Sequence, residues 1–104
     1  MKKKSEVIID NFLDLMKKLV MKKISGPHFE KKYLEMSRAF RDNEDYLEVP
    51  EEIRLLISHV FVSVDAYCSD PTIRDENDID ENQLREEVKT ELLKIKPELK
   101  TELP

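Results

Sequence analysis

Apolar residues recur at helical spacing in four separate stretches of this chain, and that recurrence confines it to the packing of helices. Ile8, Phe12, Leu15 and Leu19 fall at i, i+4, i+7 and i+11, and Ile9, Leu13, Met16 and Val20 repeat the spacing one residue on. Phe29, Tyr33, Met36 and Phe40 make a second stripe, with Leu34 beside it. Ile53, Leu56, Ile57, Val60, Val64 and Tyr67 make a third, widened by Leu55, Phe61 and Val62. Leu84, Val88, Leu92 and Ile95 make the fourth. A single glycine and no tryptophan argue against a turn-rich β fold. Four amphipathic segments joined by short or moderate connections predict an all-α fold, an antiparallel four-helix bundle.

Capping residues set the expected boundaries. Ser5 is a candidate N-cap, with Glu6 in the first turn, and Lys17, Lys18, Lys22 and Lys23 crowd the end of a helix running to about Lys23. Ser25-Gly26-Pro27 breaks the pattern and starts the second helix, since proline is tolerated in a first turn. Asp42 to Val49 reads as an acidic loop, after which Pro50-Glu51-Glu52 opens the third helix. That helix is the most apolar, so it should be the most buried. Ser69 to Ile79 is a long acidic connection interrupted by Pro71. Asp80, with Gln83 three residues on, resembles a capping box for the fourth helix, which runs to Pro97. The remainder, PELKTELP, reads as a loose tail over 97–104 in which Leu99 and Leu103 could dock locally. The length suits one domain over 1–104, with a core from about 5 to 96.

Little here suggests chemistry. Cys68 is the lone cysteine, which excludes an internal disulfide and suits a reducing compartment. It has acidic neighbours and no base within reach, a poor setting for a nucleophile. His28 and His59 are far apart and make no metal site. One glycine cannot build a phosphate cradle, and DPTIRDENDIDE lacks the central glycine of a calcium-binding loop. The Asp78 and Asp80 pair lies in a solvated loop, where nothing raises a carboxyl pKa for acid–base work. The chain therefore reads as a non-enzyme with no catalytic residues, metal, cofactor or small-molecule substrate. Met-Lys-Lys-Lys is followed by Glu6, Asp10 and Asp14, which does not suit a secretory segment. No apolar run approaches the roughly 18 residues of a membrane span. A soluble, cytoplasmic protein with no membrane partner is expected.

The net charge of −5 hides an asymmetry. Residues 1–41 hold 11 bases and 5 acids, whereas residues 42–104 hold 7 bases and 18 acids. The acidic half repels nucleic acid and attracts basic proteins. Its densest stretch, Asp65 to Glu81, carries Asp65, Asp70, Asp75, Glu76, Asp78, Asp80 and Glu81 against one base, Arg74. Such a run is commonly only a solvated loop. On a small helical scaffold it also imitates a phosphate backbone, and so could plug a site built for nucleic acid.

The passage from the third helix into the fourth resembles the self-protective colicin-like immunity family, of the colicin D type. Phe61 is followed four residues later by Asp65 and then by Tyr67; Asp70 adjoins Pro71; and the acidic run leads into Ile79-Asp80, with Leu84 and Val88 starting the last helix. The resemblance spans about residues 5–96 and is most specific over 61–88. It implies a four-helix bundle that binds a basic ribonuclease toxin cleaving transfer RNA, and blocks its active site. By motif position, Asp65 and Asp70 match the inhibitory acids, with Asp75, Glu76 and Asp78 as supporting toxin-binding charge. Tyr67 fits either the core or an interface. Two other readings stand beside this one. A helical adaptor would bind partners through a helix face and leave the acidic loop inert. A nucleic-acid binder would use Lys17, Lys18, Lys22, Lys23, Lys31 and Lys32, which the acidic half disfavours.

Overall fold

A computed structural model describes residues 4–42 and 47–103, with side chains of the first helix from Glu6 onward. Met1 to Lys3, the inner residues 43–46 of the acidic α2–α3 loop, Pro104 and the Ser5 side chain expected to cap α1 lie outside that description. The elements are α1 (Lys4–Val20), α2 (Gly26–Arg41), α3 (Glu51–Ala66) and α4 (Glu81–Ile95), followed by a 3-10 helix (Pro97–Thr101). They form an antiparallel four-helix bundle in which α4 packs on α1 and α3 while α2 closes the other side.

The stripes meet in one core. Phe12, Met16 and Leu19 of α1, Phe29 and Tyr33 of α2, Val60 and Val64 of α3, and Leu84, Val88 and Leu92 of α4 are all essentially inaccessible. Phe12 meets Tyr33 and Phe40 edge-on, with ring centroids 5.4 and 5.7 Å apart. The Tyr33 hydroxyl donates to the Ile57 carbonyl, so a buried polar group is satisfied as α2 is tied to α3.

Three local features differ from the sequence reading. First, α1 ends at Val20, not Lys23. Lys22 takes a left-handed φ of 62°; its amide donates to Leu19 O at 3.0 Å, and the Lys23 amide donates to Lys18 O at 2.9 Å. These two bonds are a Schellman ending with lysine where glycine is usual. Second, Leu55 and Val62 do not widen the buried face of α3; they are 49% and 66% exposed. Third, the segment after Pro97, read as a loose tail, is a 3-10 turn that buries Leu99 and Leu103 against the core.

The other caps follow the sequence. Ser25 Oγ accepts the His28 amide at 3.3 Å. Asp80 Oδ1 accepts the Gln83 amide at 2.8 Å, and Gln83 Oε1 accepts the Asp80 amide at 3.4 Å, a reciprocal capping box.

Candidate functional site

The acidic connection between α3 and α4 is an excursion closed at its base. The Cys68 amide donates to Ile79 O at 3.0 Å, and the Ile79 amide donates to Ala66 O at 2.9 Å, which makes a parallel bridge between Tyr67 and Ile79. Tyr67 is buried beneath this bridge and belongs to the core. Burial, and then the nearby Glu81 carboxylate, push its phenol pKa up.

Arg74 is the only base in the excursion, and it faces inward. Its Nε and Nη2 donate to the Cys68 carbonyl at 3.0 and 2.8 Å. The guanidinium thus braces the loop from within, and its charge also helps to hold the Asp70 carboxyl down.

The aspartates brace the loop from the other side. Asp70 Oδ1 accepts the Thr72 hydroxyl at 2.7 Å and the Thr72 amide at 2.9 Å, and these bonds hold its carboxyl below the usual range. Asp75 Oδ1 accepts the Asn77 amide at 2.8 Å, and Asp78 Oδ2 accepts the Asp75 amide at 3.1 Å. Each of these aspartates therefore uses one oxygen for the loop. Local bonds of this kind let short acidic side chains replace a regular ladder.

Of the five site residues read from the sequence, the loop brings Asp75 into direct contact with Asp78 and places Asp70 at its opening turn. Glu76 is exposed between them, and Asp65 is exposed on the last turn of α3. Neither Asp65 nor Glu76 forms a hydrogen bond or ion pair among the described residues. Asp80 and Glu81 have structural work instead. Glu81 Oε1 accepts the Gly26 amide, and its Oε2 meets Arg85 at 3.1 Å; the Gly26 bond is the main reason its carboxyl is held below the usual range.

Further acidic groups lie on α4. Glu86 and Glu87, with Asp80, Asn82 and Gln83, line a shallow trough of about 300 Å3 that continues toward Ser63 and Glu91. Glu87 accepts the Ser63 hydroxyl at 3.0 Å, and Glu91 pairs with His59 at 3.2 Å and Lys94 at 3.1 Å. The i, i+4 spacing of Gln83, Glu87 and Glu91 signals this polar face, which was hidden among the ordinary charges of a solvated helix.

The Cys68 thiol donates weakly to Asp70 O at 3.5 Å, and His59 is held by Glu91. Among the described residues, no group of three or more His, Cys, Asp or Glu side chains is placed to hold a metal, and no helix is long and apolar enough to cross a membrane. What the arrangement offers is a braced array of carboxylates, with Asp65, Asp70, Asp75 and Glu76 exposed and Asp78 half-buried. A family model described as bacterial self-protective colicin-like immunity matches residues 7–95. A comparison with curated proteins finds no match.

Proposed function

The chain belongs to the bacterial self-protective colicin-like immunity family, and on that premise we propose that it neutralises a transfer-RNA-cleaving toxin of colicin D type by filling the basic active-site cleft. Family membership makes it a bacterial immunity protein directed against a colicin-type toxin. The proposal adds the mechanism. Asp65, Asp70, Asp75, Glu76 and Asp78 stand where RNA phosphates would lie, and the protein acts as a stoichiometric inhibitor in the cytoplasm, with no chemistry of its own.

The observation that carries this reading is the inward turn of Arg74. The guanidinium is bound to the Cys68 carbonyl rather than paired with a carboxylate, and although its charge reaches Asp70, one cation stands against five carboxylates. A nuclease cleft must offer cations to phosphate, and complementary fields steer such partners together at high rates. Carboxylates also pair with arginine in two-bond geometry, which is stronger than neutral hydrogen bonding.

The test is cell protection. The chain is co-expressed with the basic C-terminal domain of a toxin of this type, whose gene is expected immediately upstream of its own. Survival with transfer RNA intact is the expected result, and cell death with both proteins folded refutes the proposal.

The helical-adaptor alternative keeps one physical basis. Ser37, Phe40, Ile57, Phe61 and Val62 line a groove of about 640 Å3 between α2 and α3, with Arg41 and Arg54 also on its walls. An adaptor using this groove loses its partner when Val62 is made charged, and is indifferent to charge reversal over 65–81.

A further inference from the structure

Ile73 is at odds with its surroundings. It is the most exposed large apolar residue among those described, at 72%. It sits in the stretch between Asp70 and Glu76, where a polar residue would be the ordinary choice. A single exposed apolar side chain on a helix is unremarkable, because much of any protein surface is apolar. This one differs in two respects.

The first is its setting. The Ile73 amide donates to Asp70 O at 3.3 Å, and the next residue, Arg74, is drawn inward onto the Cys68 carbonyl. The turn leaves the isoleucine outside while its neighbour folds in. The second is its company. Asp70, Asp75 and Glu76 flank it in sequence, all three exposed. A surface that covers Ile73 must therefore accept an apolar side chain amid carboxylates.

Resting on the toxin-inhibitor reading, we infer that Ile73 is an apolar anchor for the toxin domain, seated in a notch between the cations of its basic cleft. Charge and anchor divide the work. Rim charges such as Glu76 speed encounter through long-range attraction, whereas burial of Ile73, together with the Asp65 and Asp70 pairs, slows dissociation. Interface energy commonly concentrates in a few well-buried side chains ringed by polar groups that exclude water. The cross-braced loop holds the anchor in place before binding, which lowers the entropy lost on association. On this account the excursion is more than a phosphate mimic, because RNA has no isoleucine to offer.

The experiment is surface plasmon resonance with the upstream-encoded toxin domain immobilised. The analytes are the unaltered chain, Ile73→Ala, Ile73→Asp and the charge control Glu76→Gln. Circular dichroism and melting temperature confirm folding, which a side chain this exposed should leave unchanged. Ile73→Ala is expected to weaken binding at least about fivefold through faster dissociation, with association unaffected. Ile73→Asp is expected to bind worse than the unaltered chain although it adds a negative charge. Glu76→Gln should act mainly on association, and more so at low salt. A loss below about fivefold for Ile73→Ala, or tighter binding by Ile73→Asp, overturns the anchor while leaving toxin recognition standing. No binding by the unaltered chain overturns the toxin reading itself.

Discussion

Gly26 and Glu81 are 55 residues apart in sequence, and the backbone amide of the first donates to the carboxylate of the second. The contact joins the start of α2 to the start of α4, directly beside Tyr67 at the base of the acidic excursion. A Cβ on Gly26 would lie 2.7 Å from Glu81 Oε1 and 2.8 Å from Tyr67 Cζ, and would collide with the Tyr67 hydroxyl. The lone glycine of the chain is thus required for close approach rather than for an unusual φ. Gly26→Ala should destabilise the fold by about 1–3 kcal/mol through overpacking. Tyr67→Phe should recover part of that loss, so a double-mutant cycle in urea should be non-additive. Additive effects would show that the two residues do not share this contact.

Acidity should weaken the same junction. The Glu81 carboxyl is held below its ordinary 4.5, chiefly by the Gly26 amide. A carboxylate with a depressed folded pKa contributes stability above its unfolded value and loses it as pH falls through the folded value. The advantage of the unaltered chain over Glu81→Gln should therefore be full near neutrality, shrink as pH drops below the ordinary 4.5, and be gone once the folded carboxyl is protonated. Glu81 is 39% exposed on its side chain, so solvent screening limits the effect to about 1 kcal/mol or less. Urea midpoints for both proteins across this range supply the check. A gap that persists unchanged into acid would contradict the assignment.

The left-handed Lys22 offers a simple gain. An L side chain at φ 62° costs energy that glycine avoids. Lys22→Gly should raise stability by roughly 0.5–1 kcal/mol, seen as a higher melting temperature. An unchanged or lower melting temperature would mean that the Lys22 side chain offsets this cost.

Arg74 separates loop order from loop charge. Arg74→Ala removes both bonds to the Cys68 carbonyl and makes the protein one unit more negative. If charge alone governed recognition, the variant would bind a basic toxin domain better. The braced-loop account expects faster amide hydrogen exchange across 69–78 and several-fold weaker binding, because the ordering cost is met on association.

Much of this fold was legible because its signals are local. The stripes through Phe12, Tyr33, Val60 and Val88, the Ser25 cap and the Asp80–Gln83 capping box all act within a few residues. The end of α1 was not legible, because lysine occupies the position where glycine normally marks a Schellman ending. Leu55 and Val62 match the helical period of α3 yet stay exposed, since periodicity cannot say where neighbouring helices stop covering a face. The Tyr67–Ile79 bridge, the inward Arg74 and the Gly26–Glu81 bond depend on chain segments meeting in space. In the acidic stretch the sequence names candidate carboxylates, but only the geometry divides exposed Asp65 and Glu76 from Asp70, Asp75 and Asp78, which brace the loop, and from structural Asp80 and Glu81.

The central claim is that named carboxylates contact the toxin's cleft, and the affinity of single variants tests it most directly. Asp65 has no partner among the described residues, and Asp70 keeps one oxygen free of the Thr72 turn. Asp65→Ala and Asp70→Ala should each fold normally. Removing one partner of a desolvated charge pair typically costs about 2–5 kcal/mol of binding. Isothermal titration of each variant against the upstream-encoded toxin domain should show that loss. If both bind within about twofold of the unaltered chain, the carboxylates are not the interface and the account of the acidic plug is wrong.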